Sequence, residues 1–237
     1  MVNIELEGKR TLVLGGSGVL GSSIADELSR RGALVILAGR NATRLQNRAS
    51  EIGPNVPSVI FDLRVASQAT HVVETAVRLL GGLDGIVNAA GVVAFGPLSE
   101  LSDAALDELV ATDLVGPLRV TREALQHLDS GFIVNVTGVV GENPIANMAV
   151  YSAAKAGLSA ASSALGRELR RQGIHVLDAR PPHTETGLAT RPIAGTAPKL
   201  LLGLDPAVVA RIVVDGLVEG RRELPAESFC NGRSRGG

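Results

Sequence analysis

Two kinds of stretch alternate along the chain. Short apolar runs recur at Arg10–Gly15 (R-T-L-V-L-G), Ala33–Ala38 (A-L-V-I-L-A), Val59–Asp62, Asp84–Asn88 (D-G-I-V-N), Gly131–Thr137 (G-F-I-V-N-V-T) and Ile174–Ala179. Runs of this length with little polar alternation predict strands buried on both faces. Between them lie longer stretches with helical spacing. Leu20, Ile24 and Leu28 recur every four residues up to a stop at Gly32, and Gln68–Leu80 is amphipathic and closed by Gly81-Gly82. Asp103–Leu128 reads as a long helical region bent around Gly116-Pro117, Ala149–Gln172 as a helix ended by Gly173, and Pro206–Val218 as the last helix. Arg180–Leu202 is a Pro-, Thr- and Gly-rich loop, and Gly- and Arg-rich Asn231–Gly237 reads as a disordered tail.

Strands that alternate with helices call for a parallel sheet, because each crossover is long enough to hold a helix. The expected fold is therefore α/β: a single-domain Rossmann-type, doubly wound parallel sheet flanked by helices, with one domain over residues 1–230. The chain's 237 residues and 45% hydrophobic content suffice for one large core.

Charge and composition then remove function classes. A net charge of −1 offers no basic surface for nucleic acid. No apolar run approaches the ~18 residues of a membrane span, and Met1–Arg10 is too polar for a signal peptide. The expected protein is soluble and cytoplasmic. The lone Cys230 excludes an intramolecular disulfide, and His71, His127, His175 and His183 show no metal-ligand spacing, so no metal is expected.

The chemistry-bearing residues sit just past the strand ends. Gly15-Gly16-Ser17-Gly18-Val19-Leu20-Gly21 joins the first strand to the first helix. Glycines there let a backbone approach a pyrophosphate, whose charge the free helical amides favour. The second strand runs into Gly39-Arg40-Asn41, with Arg44 one helical turn further on. A carboxylate at this place would suit the ribose hydroxyl of NAD. Arginines suit the 2′-phosphate of NADP, so NADP(H) is favoured over NAD(H), the alternative being that both arginines are merely solvated. Asp62-Leu63 ends the third strand, where the adenine edge would lie, and the small residues Asn88-Ala89-Ala90-Gly91 end the fourth. Tyr151, the only tyrosine, stands four positions before Lys155, one of three lysines. On a helix that spacing puts both on one face. A cation beside the phenol would lower its pKa from near ~10 and suit it to proton transfer. In a doubly wound sheet all these positions converge on the edge formed by the strands' carboxyl ends.

The glycine turn, N-A-A-G at Asn88–Gly91, Y-S-A-A-K at Tyr151–Lys155 and the loop from Pro181 to Thr186 resemble the short-chain dehydrogenase/reductase family in order and spacing, over nearly the whole chain. The resemblance implies NAD(P)-dependent hydride transfer between a carbonyl and an alcohol on a small molecule. Tyr151 would be the acid/base, and Lys155 would tune it and hold the nicotinamide ribose. Gly15, Ser17, Gly18, Val19, Leu20, Gly21, Asn88, Ala89, Ala90 and Gly91 would contact the cofactor. Val176–Asp178 and Arg180-Pro181 would line its nicotinamide side, Pro181 and Thr184 touching it, with Thr186 near the carboxamide.

The chain departs from that family in several places. The turn is G-x-x-G-x-x-G, with Val19 where the main branch usually has its middle glycine. The family's active-site serine falls on Gly138, leaving the neighbouring Thr137 as the candidate hydroxyl, although adjacent strand residues point to opposite faces. The family's asparagine on the central helix falls on Asp113, which could still bind water but whose charge would oppose the effect of Lys155 on Tyr151. The usual Pro-Gly is Pro181-Pro182, followed by His183 and Glu185; His183 is either a proton donor near the site or a loop residue in solvent. Arg222–Gly237 lacks the Thr-Gly and Asp-Gly-Gly of the family's last strand. A dimer through Asp103–Leu128 and Ala149–Gln172 is thus the expected assembly.

Candidate pocket walls are Val92, Phe95, Pro144, Ile145, Met148 and Leu188, which favour a modest apolar substrate. The leading expectation is an NADP(H)-dependent ketone/alcohol oxidoreductase. Two alternatives are a cofactor-binding protein with little catalysis, acting as a sensor or assembly partner, and an enzyme in which Tyr151 drives dehydration or isomerisation.

Overall fold

The computed structural model of the chain describes residues 3–234. Its strands are β1 (Arg10–Leu14), β2 (Leu34–Gly39), β3 (Ser58–Ile60), β4 (Gly85–Asn88), β5 (Gly131–Val136), β6 (Ile174–Ala179) and β7 (Glu223–Leu224). They form one parallel sheet in the order β3-β2-β1-β4-β5-β6-β7. The order reverses direction beside β1, so a crevice opens between the ends of β1 and β4. This is the doubly wound architecture that the alternation of runs predicts.

Alternate strand residues serve opposite layers. Val13, Leu37, Val87, Val134 and Leu177 pack with Ile24, Leu28, Leu45, Val209, Val213 and Leu217. Those helical residues come from α1 (Val19–Arg30), α2 (Ala42–Ile52) and α7 (Pro206–Val218). Leu12, Leu14, Ile36, Ile86 and Ile133 face the other way, toward Val72, Val73 and Ala76 of α3 (Gln68–Leu80). Burying each such side chain contributes about 1.5–3 kcal/mol, so neither layer can detach without large loss.

The long expected helix over Asp103–Leu128 is divided. It consists of α4 (Asp103–Val110), a wide π-helical turn at Ala111–Val115, and α5 (Gly116–Ala124). Pro117 has no N–H to give the carbonyl four residues back, that of Asp113, and the backbone widens there. The helix therefore changes before Gly116-Pro117, and Asp113 is carried inward, fully buried. The helix α6 (Ala149–Glu168) carries Tyr151 and Lys155, and a tighter turn over Leu169–Gln172 leads to Gly173.

Two elements were not visible in the pattern. Helix α2 buries only Leu45 and Ala49, too thin a stripe to stand out. The seventh strand, β7, is two residues long and extends the sheet beside Asp178 and Ala179. A short 3₁₀ segment, Ala226–Ser234, follows it; of the tail expected to lack structure, residues 235–237 lie outside the described residues.

Candidate active site

One cavity of about 790 Å³ runs along the carboxyl edge of the sheet, from the glycine turn to the loop after β6. Its wall includes Gly15, Ser17, Gly18, Val19, Leu20 and Gly21 at one end. Gly15 takes φ +79°, and a Cβ there would stand 2.6 Å from the Ala90 nitrogen, so only glycine lets β1 turn this close to the end of β4. Gly18 precedes α1 in extended conformation, and no side chain caps that helix. Its first amides are left for an anion, reinforced by the helix dipole.

Beyond β2 and β3 the wall is basic. Arg40, Asn41, Arg44 and Arg64 line it together with Phe61, Asp62 and Leu63. The Arg40 and Arg64 guanidiniums each reach Glu108 at 3.2 Å, and Arg64 also pairs with Asp62 at 2.6 Å. Hydrogen bonding by Arg64 holds the Asp62 carboxyl below its ordinary value. Asn41 accepts the Arg44 amide at 2.9 Å and so starts α2, which projects Arg44 toward the same rim. Phe61 and Arg64 escaped the sequence reading, and Asn41 was named there without a role. The Asn cap and the arginine two positions past Asp62 were the available clues.

At the other end Tyr151 lies in the first turn of α6, packed with Val92, Val93, Phe95, Leu109 and Val140. Lys155 follows one turn later, its Nζ 5.9 Å from the centre of the phenol ring. The ammonium does not turn to the phenol. It pairs with Asp113 Oδ1 at 3.1 Å and donates to the Val136 carbonyl at 3.2 Å. Burial pushes the Tyr151 hydroxyl up from its ordinary value, and the Asp113 charge adds to this. The lowering expected from helical spacing is therefore reversed, because desolvation outweighs a cation engaged elsewhere. Burial also pushes the Asp113 carboxyl up to about 6, against the pull of Lys155. The Val92 amide donates to its Oδ2 at 3.3 Å.

Thr137, Asn88 and Asp113 are turned away from the cavity or stand off its wall, and Val176, Leu177, Asp178 and Arg180, expected beside the nicotinamide, are off it too. Thr137 lines it, but the side chain is fully buried and its hydroxyl donates to Asp178 Oδ1 at 2.5 Å. Asp178 Oδ2 also accepts from Ser159 at 2.6 Å and from Arg180 at 2.8 Å, so that hydroxyl belongs to a network behind β5 and β6. Asn88 is off the wall: its amide donates to Asn135 at 2.6 Å, and Asn135 donates to Ser162 at 2.8 Å. This chain of amides ties β4 to β5 and α6. Asp113, also off the wall, reaches the site through Lys155. Ala89, Ala90, Gly91, Pro181, Thr184 and Thr186 are on the wall, as are Phe95, Ile145, Met148 and Leu188; Val92 and Pro144 are not.

Gly138 takes φ +79° and ψ 162°, a conformation essentially reserved for glycine. A Cβ there would meet only the Pro181 carbonyl, at 3.7 Å. The place is open, and its backbone is not that of an ordinary side-chain-bearing residue.

A family model described as short chain dehydrogenase matches residues 9–194, most of the chain. The chain belongs to the short-chain dehydrogenase family. It is 32% identical to a ketoacyl reductase of Nostoc sp., covering 92% of this chain and 78% of that protein. It is 30% identical to an uncharacterized oxidoreductase of Staphylococcus epidermidis, covering 83% and 86% respectively. Among solved structures, a short-chain dehydrogenase of Burkholderia cenocepacia in complex with NADP superposes with a TM-score of 0.84. It is 28% identical, with 96% of this chain and 99% of that one covered. As a short-chain dehydrogenase the protein is an oxidoreductase with a nucleotide cofactor and a small-molecule substrate. No helix among the described residues is long and apolar enough to cross a membrane.

Proposed function

We propose that this short-chain dehydrogenase interconverts a ketone and a secondary alcohol on a small, fairly apolar substrate, with NADP(H) and with Tyr151 as the acid/base. The observation that carries the reading is the continuity of one cavity, from the uncapped amides of α1 and the arginines past β2 to the Tyr151–Lys155 turn of α6. The side-chain-free approach at Gly15 and the open helix amides fit a pyrophosphate; Arg40 and Arg44 fit a 2′-phosphate. When bound, the cofactor supplies or accepts the hydride.

The chain's own residues do the rest. Tyr151, its hydroxyl raised by burial, is protonated at neutral pH, the form that can give a proton to a carbonyl oxygen. Lys155, anchored by Asp113 and the Val136 carbonyl, would hold the ribose at a fixed place beside that phenol. Phe95, Ile145, Met148 and Leu188 would exclude water and select a modest apolar group. Gly15, Ser17, Gly18, Val19, Leu20, Gly21, Ala89, Ala90, Gly91, Asp62, Leu63, Pro181, Thr184 and Thr186 complete the proposed cofactor wall.

The test is a panel of aliphatic and aryl ketones with NADPH and NADH. Turnover that survives Tyr151→Phe sinks the mechanism. A second reading, tight cofactor binding with little catalysis, draws on the unavailable Thr137 hydroxyl and the bare Gly138. It is supported if NADPH binds tightly and no panel member is reduced. A homodimer through α4–α5 and α6 belongs to the proposal and is tested by sedimentation.

A further inference from the structure

Reduction of a ketone places growing negative charge on the substrate oxygen. A second hydrogen-bond donor there, besides the acid, is typically worth about 10²–10³ in rate. Gly138 offers no side chain for that task. Thr137 spends its hydroxyl on Asp178, and Thr184 spends its own on the Pro182 carbonyl at 2.9 Å. The Thr186 hydroxyl accepts from the Leu188 amide at 3.3 Å, which fixes its oxygen but leaves its proton to give, and Arg191 donates to the carbonyls of Gly187 and Thr186. Thr112 is also on the wall, but its hydroxyl oxygen is buried beneath the surface, so the candidate donors come down to Thr186 and a ring nitrogen of His183.

Pro181 supplies the backbone that borders the space above Gly138, its carbonyl accepting the Val139 amide at 3.0 Å. His183, two residues on, lines the same cavity. The histidine is fixed in place from several sides. Its carbonyl accepts the Leu204 amide at 2.8 Å, and the Leu204 carbonyl accepts the Glu185 amide at 2.9 Å. Gly203 lies under the ring: a Cβ there would stand 2.8 Å from His183 Cδ2. Glu185 Oε1 lies 3.3 Å from His183 Nε2 and also accepts the Gly203 amide at 2.7 Å. A solvated loop histidine needs none of these restraints. Here a carboxylate fixes one ring nitrogen and leaves Nδ1, a donor whenever the ring carries both protons.

We infer that His183, oriented by Glu185, donates the hydrogen bond to the substrate oxygen that no side chain at position 138 can give. The proton that forms the product hydroxyl still comes from Tyr151. His183 keeps its own proton and stabilises the oxygen's charge while the carbon–hydride bond forms and the carbonyl π bond breaks. Glu185 is a positioning residue in this arrangement. The inference rests on the ketone-reducing reading above.

The experiment uses the full chain, NADPH and whichever panel ketone the wild type reduces fastest. Tyr151→Phe, His183→Ala and Glu185→Gln are compared for kcat, KM and NADPH affinity by cofactor fluorescence. The expected result for His183→Ala is a kcat fall of roughly 10²–10³, unchanged NADPH affinity, and partial recovery on adding free imidazole. Glu185→Gln should fall in the same direction by less. A His183→Ala kcat within about twofold of wild type, with Tyr151→Phe inactive, overturns the His183 role alone. So does a fall that comes with lost NADPH affinity and no imidazole recovery, since that marks a disturbed loop. A wild type that reduces no panel ketone, or activity surviving Tyr151→Phe, overturns the underlying reading and the His183 role with it.

Discussion

The two ends of the cavity are built by different means. At the β1–α1 end the wall is backbone: a glycine forced into φ +79°, uncapped amides, and a close approach to the end of β4. At the α6 end the wall is a set of side chains whose partners decide what each can do. Lys155 is occupied by Asp113, Thr137 by Asp178, and position 138 has no side chain. A backbone-made site is set once the fold is set. A site of side chains can be rewired by a single substitution.

The contrast predicts opposite sensitivities, beginning with the largest. Tyr151→Phe should lower turnover by about 10²–10⁴ and leave NADPH affinity nearly unchanged. Gly15→Ala should do the reverse. Its Cβ would press on the Ala90 backbone at a positive φ, costing on the order of 1–3 kcal/mol. That loss should appear both as a lower melting temperature and as weaker cofactor binding. Equal losses of turnover and affinity in both variants would erase the distinction between the two ends.

Gly138→Ser tests whether a hydroxyl can be placed at this point of the wall. Because Gly138 lies in a region reserved for glycine, the serine should cost about 1–3 kcal/mol of stability and bring no gain in kcat. A stable variant that works faster would show that the turn after β5 relaxes, and that the chemical end is more adaptable than its geometry implies.

How much of this was legible in the sequence follows the same division. The glycine turn could be read because only glycine satisfies that backbone, and six of the strands because continuous apolar runs have few other uses. The destinations of side chains could not. Thr137 meets Asp178, 41 positions away, only because the registers of β5 and β6 bring them together. Asn88 stands directly beside Asn135 in the sheet, and its side-chain amide donates there rather than into the cavity. The ion pair of Lys155 depends on the wide turn before Pro117 carrying Asp113 inward, and a helix pattern does not reveal that turn. Helix α2 escaped for a different reason, its buried stripe being two residues wide.

Arg40→Ala sharpens the comparison from the cofactor side. Arg40 is half-exposed and shares Glu108 with Arg64. Removing one charge-assisted contact to a 2′-phosphate costs about 1.5–3 kcal/mol. NADPH affinity should therefore fall roughly tenfold or more while NADH affinity holds. Parallel losses for both cofactors would make Arg40 a structural residue and return NADP preference to Arg44 or Arg64.

The smallest expected effect is the most specific to this chain. Asp113 is fully buried, its carboxyl pushed up to about 6, and its charge is one cause of the raised Tyr151 hydroxyl. Alcohol oxidation needs the phenolate. Above pH about 6 the carboxylate is charged and opposes that phenolate; below, it is neutral. In Asp113→Asn the opposition is gone at every pH, and the Lys155 ammonium is no longer shared with a carboxylate. Both changes favour the phenolate, so the rising limb of kcat/KM for oxidation of a secondary alcohol with NADP⁺ should move to lower pH. A shift on the order of one unit, about 1.4 kcal/mol, is expected. Any inflection near pH 6 that comes from the carboxyl's own titration should vanish with it. A limb that stays in place would mean that the Asp113 charge is spent wholly on Lys155, and that burial alone sets the phenol.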